Sequence, residues 1–102
     1  RRSKQQTGPF LVTYCAKNRL GCNRIGSTAS KKVGDAVRRN RAKRVIRAAY
    51  TQLEPALPRG YDFIFVARSR TARCKMQPVR EAMRQQIAAL TGAPSLQGEA
   101  PL

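Results

Sequence analysis

The sequence predicts a mixed α/β domain of the α+β kind, a single small sheet with helices packed on one face. Two heptapeptides, FLVTYCA (10–16) and YDFIFVA (61–67), are rich in β-branched and aromatic residues, which suits strands. Residues 35–53 and 75–90 repeat apolar side chains at three- and four-residue steps, the period of an amphipathic helix. Strand-like and helix-like stretches alternate along 102 residues. That is one domain's worth of chain, enough to bury roughly 60–70% of the surface its unfolded form exposes.

Taken in order, residues 1–9 (RRSKQQTGP) form a polar, basic segment closed by Gly8-Pro9 and assigned outside the domain, which spans 10–91. FLVTYCA is the first predicted strand, KNRLGCN a turn, and RIGSTAS (24–30) a weaker strand containing a glycine. Gly34 permits a tight turn into a helix from about Asp35 to Leu53, which ends at Glu54-Pro55 because a residue before proline avoids the helical region. LPRG is a loop, and YDFIFVA is the clearest strand. A second helix from about Lys75 to Leu90 carries Met76, Val79, Met83, Ile87 and Leu90 on one side, with Pro78 suited to its first turn and Gly92 to its end. The tail, 92–102, has little that packs and is expected to be disordered.

Strand alternation puts Phe10, Val12 and Tyr14 on one face against Leu11, Thr13 and Cys15 on the other. It also groups Tyr61, Phe63 and Phe65 opposite Ile64 and Val66. The pattern does not say which face meets the helices.

Charge narrows the function. Lysine and arginine number 21 against 5 acids, a formal net charge of +16. Self-repulsion on that scale destabilises a compact chain unless a polyanion is normally present. No apolar run approaches the ~20 residues of a membrane span, and no signal-peptide pattern is present, so a cytoplasmic protein is expected. Three cysteines at scattered spacings, with no histidine, argue against a disulfide framework, a disulfide-linked partner or a zinc site. Reduced, buried thiols are the expectation.

The charge is concentrated in SKKVGDAVRRNRAKRVIRAAY (30–50), where Lys31 to Arg47 hold eight basic residues and one acid, Asp35. On a helical wheel Ala42, Val45, Ile46, Ala49, Tyr50 and Leu53 fall within an arc of about 140°. Asn40, Arg41, Lys43, Arg44 and Arg47 fall outside it, with Arg38 and Arg39 on its flanks. An ordinary solvated helix face mixes signs through i, i+4 pairs. Here 36–53 contain no acid, which points to an anion-binding ridge. A membrane-surface helix would oppose its charge with large apolar side chains, whereas this stripe is mostly small. Nucleic acid is therefore the expected partner, and arginine predominates where bidentate phosphate recognition matters.

Arg39-Asn40-Arg41, Lys43-Arg44 and Arg47, the preceding Ser30-Lys31-Lys32, and LPRGYDFIFVAR (57–68) together resemble the bacterial ribonuclease P protein subunit over about residues 10–90. The resemblance implies a sheet-and-helix fold like a ribosomal protein domain, with an unusual left-handed βαβ crossover around the basic helix. It implies an accessory subunit of a ribonucleoprotein endoribonuclease, whose partners are the catalytic RNA and precursor tRNA, with no membrane. That holoenzyme matures the 5′ end of tRNA. Arg38, Arg39, Asn40, Arg41, Lys43, Arg44 and Arg47 would contact the RNA subunit. A cleft on the sheet's other side would hold the single-stranded leader, with Phe10, Val12, Thr13, Thr28, Lys31, Lys32, Arg39 and Asn40 as candidates.

The sequence departs from the family at three points. Its N-terminal helix, which walls the cleft, is expected to be missing, since the chain starts at Arg1 beyond its place. Thr13 stands where relatives can carry a stacking tyrosine, and Ala42 where a larger aliphatic is usual, so looser helix packing is expected.

Protein ribonucleases work through histidine or carboxylate clusters that hold Mg²⁺. There is no histidine, and Asp35, Glu54, Asp62, Glu81 and Glu99 are dispersed. No protein active site or metal site is expected, and Mg²⁺ would belong to the holoenzyme, mainly on its RNA. The rival readings are a general RNA-binding or ribosome-associated domain and a DNA-binding module. Neither accounts for Asn40 framed by arginines together with LPRGYDFIFVAR.

Overall fold

The computed structural model describes residues 4–92. Four strands, β1 (Lys4–Thr7), β2 (Leu11–Lys17), β3 (Arg24–Thr28) and β4 (Tyr61–Ala67), form one sheet in the order β1-β2-β4-β3. β2 runs antiparallel to β1 and β4, while β3 lies parallel to β4. Parallel neighbours need a crossover, and α1 (Ala36–Leu53) supplies it. A 3₁₀ turn at Glu54–Ala56 follows α1, a second at Thr71–Arg73 follows β4, and α2 (Met76–Thr91) completes the order.

Both helices lie on one face. That face is the one bearing Leu11, Thr13 and Cys15 from β2 and Phe63, Phe65 and Ala67 from β4, all buried. The ring of Tyr50 from α1 packs at a tilt against Phe63 and Phe65, at centroid separations of 6.4 and 6.0 Å. Ile46, Val79, Met83 and Ile87 close the core from the helix side, and Ala42 is fully buried. The opposite face carries Val12, Tyr14, Ile64 and Val66 and is left to solvent.

The N-terminal basic segment is not separate from the domain. Lys4–Thr7 pairs with β2 from Lys4 opposite Cys15 to Thr7 opposite Val12. KQQT is polar and wholly exposed, so nothing in its composition marks a strand. Gly92 ends α2 in the left-handed conformation, its N–H donating to the Ala88 carbonyl (2.8 Å). The rest of the expected tail lies outside the described residues. The expectation of buried thiols holds only for Cys15, since Cys22 is exposed at the β2–β3 turn and Cys74 is half-buried; all three are free. Burial pushes the Cys15 thiol up. No helix among the described residues is long and apolar enough to cross a membrane.

One polar contact crosses the core. The Thr13 hydroxyl donates to Gln86 Oε1 (2.6 Å), and Gln86 Nε2 donates to the Leu11 carbonyl (2.9 Å). Gly8 makes room for that amide, because a Cβ there would stand 2.8 Å from Gln86 Nε2. Thr13→Val should cost about 1–3 kcal/mol, since it leaves a buried acceptor without its donor. Urea unfolding of the substituted and unsubstituted proteins measures this, and equal midpoints would show that the bond contributes nothing.

Candidate nucleic-acid interface

The first helix begins where the strap after β3 turns sharply. Gly34 sits at φ +144°, where a side chain would be strained, and a Cβ there would stand 2.7 Å from Arg38 Cδ and force that side chain to shift. Asp35 caps the helix, its carboxylate accepting from the Arg38 N–H (3.0 Å). From there the helix divides as its period dictates. Ala42, Ile46, Ala49, Tyr50 and Leu53 are buried and Val45 is half-buried. Asn40, Arg41, Lys43, Arg44 and Arg47 are exposed on the other side; Arg38 is exposed and Arg39 half-buried.

This cationic side keeps its charge. Among the described residues no carboxylate is paired with a basic side chain of α1; the ion pairs are Arg24–Asp62 (2.8 Å) and Arg84–Glu81, both elsewhere. Arg39 Nη1 donates to the Gly34 carbonyl (3.2 Å) and Arg41 Nε to the Ala72 carbonyl (3.0 Å). Both acceptors are neutral, so these bonds orient the guanidinium groups without cancelling them. A shallow concavity of about 380 Å³ lined by Val37, Asn40, Arg41, Arg44 and Val45 interrupts the ridge.

The leader-side candidates separate into two groups. Thr28 pairs with Val66, and Val66 with Val12, so Val12 and Thr28 stand in one row across the open face. Lys31 and Lys32 are exposed in the strap that follows β3. The Arg39–Gly34 bond ties that strap to α1, with Asn40 exposed beside it. Val12 and Thr28 thus belong to the open face, Lys31 and Lys32 to the strap that leaves it, and Arg39 and Asn40 to the start of α1. Phe10 is half-buried and packed against the core. Thr13 is 0% exposed beneath α2 and committed to Gln86, so it offers nothing to a ligand on the open face. Alternation had grouped it correctly with Leu11 and Cys15, and the sign of that face decides the matter.

A sequence model of the family described as Ribonuclease P matches residues 1–91. The chain belongs to this family. It is similar to the ribonuclease P protein component of Clostridium botulinum (strain Loch Maree / Type A3), 46% identical over 70 residues, covering 68% of this chain and 63% of that one. The chain thus spans under two thirds of the length of that relative. With the ribonuclease P protein component of Pelotomaculum thermopropionicum it shares 41% identity over 83 residues, covering 81% and 74% of the two chains. The RNase P protein from Thermotoga maritima has the same fold at TM-score 0.78 and 26% identity, covering 88% of this chain and 86% of that chain. The Staphylococcus aureus protein, at 23% identity, matches with TM-score 0.76 over 89% and 84% of the chains, a likeness of fold.

The ribonuclease P family implies Mg²⁺, and Asp35, Asp62 and Glu81 do not suit it. Asp35 caps α1, Asp62 is gripped by Arg24 and Asn18, and Arg84 holds the Glu81 carboxyl below the usual carboxylate range. Among the described residues no three metal-binding side chains come together.

Sequence reasoning missed two features. Tyr14 and Ile64 are adjacent at the centre of the open face, with Ile64 47% exposed. Their alternation was visible, but the direction of the face was not. The other is the cationic run after β4, RSRTARCK (68–75), whose freedom from acids is the same signal that marked α1.

If the ridge carries uncompensated charge, removing part of it should stabilise the free protein. Arg44→Gln combined with Arg47→Gln should raise the thermal midpoint at low salt, and the gain should vanish near 1 M salt, where the screening length is about 3 Å. A lower midpoint at low salt would mean that these arginines are held by interactions within the fold.

Proposed function

We propose that this chain serves as the protein subunit of ribonuclease P, binding the catalytic RNA through the outer face of α1 and the 5′ leader of precursor tRNA at the β3 end of the open sheet face. The observation that carries this reading is the one-sided helix. Arg41, Lys43, Arg44 and Arg47 stand exposed with no carboxylate partner among the described residues, while Ile46 and Ala49 are sealed beneath them. Exposed cations with no internal counter-ion are what a phosphate backbone requires, and each neutralised phosphate releases counterions and adds to affinity.

The leader side has the other half of single-strand recognition. Val12, with Tyr14, Ile64 and Val66 on the same face, offers an apolar floor, and Thr28, Lys31, Lys32, Arg39 and Asn40 add polar and cationic groups. That combination is suited to gripping backbone and base faces with little base readout. The chain has no histidine, and among the described residues no carboxylates cluster, so in this reading the chemistry falls to the RNA. Mg²⁺ would be held by the RNA; the protein's own residues bind, orient and screen repulsion between the phosphates of enzyme and substrate.

Adding the chain to a bacterial ribonuclease P RNA should lower the Mg²⁺ needed for precursor-tRNA cleavage at near-physiological salt. Unchanged cleavage, with or without an N-terminal helix restored, would overturn the reading in favour of a general RNA-binding protein. Replacing Arg41, Lys43, Arg44 and Arg47 by alanine should flatten the dependence of log K on log salt by nearly one unit per lost phosphate contact. Filter binding at several salt concentrations measures that slope.

A further inference from the structure

The connection from β4 to α2 carries four cations, Arg68, Arg70, Arg73 and Lys75, and no acid. All four are exposed, whereas Thr71 and Ala72 between them are buried. The segment is clamped in place. The Thr71 hydroxyl donates to the Phe10 carbonyl and accepts from the Arg68 N–H, and Arg73 N–H closes a 3₁₀ turn on the Arg70 carbonyl (3.1 Å). From the other side Arg41 Nε of α1 donates to the Ala72 carbonyl (3.0 Å). An ordinary solvated loop of like charges would loosen and spread them. This one has its two central residues sunk into the fold and its cations directed outward.

Its position matters as much as its charge. At 100° per residue the cations of α1 from half-buried Arg39 round through Lys43, Arg47 and Arg44 to Arg41 span an arc of about 200°. Arg39, Lys43 and Arg47 lie toward one flank, and Arg44 and then Arg41 toward the other. A single flat stretch of RNA backbone cannot touch both flanks of a cylinder roughly 10–12 Å across. Arg41 is the residue tied to Ala72, so the second flank runs directly into the 68–75 segment.

We infer that residues 68–75 form a second phosphate-binding wall, continuous with Arg41 and Arg44, that engages a stretch of RNA backbone separate from the one held by Arg39, Lys43 and Arg47. This rests on the proposed function, since it takes the partner to be the same structured RNA. Two tethered rows also explain why the loop is clamped to α1. A fixed spacing between cation rows selects RNA in which two backbone segments run side by side, which a flexible basic loop would not.

The test compares Arg70→Ala/Arg73→Ala with Lys43→Ala/Arg47→Ala, using a bacterial ribonuclease P RNA as the probe. Arg70→Lys/Arg73→Lys keeps the charge. The loop alanine pair should flatten the log K versus log salt slope by nearly two units, about 0.9 per phosphate contact, and the lysine pair should keep it steep. Hydroxyl-radical footprints should show the loop pair and the helix pair losing protection at different nucleotides. A loop pair that leaves the slope unchanged while the helix pair flattens it overturns the wall and leaves the proposed function standing. Loss of protection at the same nucleotides overturns the separate backbone stretch. If neither pair changes the slope, the RNA-binding reading falls and the wall with it.

Discussion

The docking of α1 by its narrow apolar side is the constraint on which the rest depends. Tyr50 lies against Phe63 and Phe65, with Ile46, Ala49 and Leu53 beside it, and Arg41, Lys43, Arg44 and Arg47 are thereby left on the outer arc of the helix. The like-charge neighbours Arg38–Arg41, Arg39–Lys43, Arg41–Arg44, Lys43–Arg47 and Arg44–Arg47 each cost about 0.2–0.5 kcal/mol. Together they cost roughly 1–2.5 kcal/mol, within the ~1.5–3 kcal/mol that burying one isoleucine-sized side chain returns. Ile46 alone offsets the repulsion. The helix can therefore carry a dense cationic face without any acid to relieve it.

Asp35 and Asp62 are placed so that they do not undo this. Asp35, the one nearest the ridge in sequence, gives its carboxylate to the backbone N–H of Arg38 and sits at the N-terminus, where negative charge favours the helix dipole. Asp62 lies at the far end of the open face with Arg24, which donates to it through Nε (2.9 Å) and Nη2 (2.8 Å). Gly34 completes the arrangement, because its backbone conformation lets the strap fold against Arg38 and present its carbonyl to Arg39. Lys31 and Lys32 are thus held at a set distance from the first turns of α1.

What could be read from the sequence follows from what each signal depends on. The two helices and strands β2 to β4 were legible, because their periodicities are local properties of the chain. The ridge was legible for a stronger reason: the absence of glutamate from 36–53 is a fact about composition that no packing can alter. Strand alternation divided each strand correctly but gave no sign to the faces, since that sign is set by helices far away in sequence. Thr13 shows the consequence. It took its place among leader candidates by resemblance, yet its hydroxyl meets Gln86 beneath α2, and nothing near position 13 announces that partner. β1 was invisible because KQQT has no strand-like composition and owes its conformation to the edge of β2.

The chemistry left to this chain follows from its side-chain inventory. Arginines stay charged at any physiological pH and move no protons. Burial pushes the Tyr50 phenol up and the Cys15 thiol up, which keeps both neutral. There is no histidine in the chain, and Asp35, Asp62 and Glu81 are held in contacts of their own, so fixed positive charge on a rigid frame is its main resource. Such a frame changes where anions can be brought together and at what cost. In the role proposed above, that contribution is to lower the repulsion between phosphate backbones that must come together.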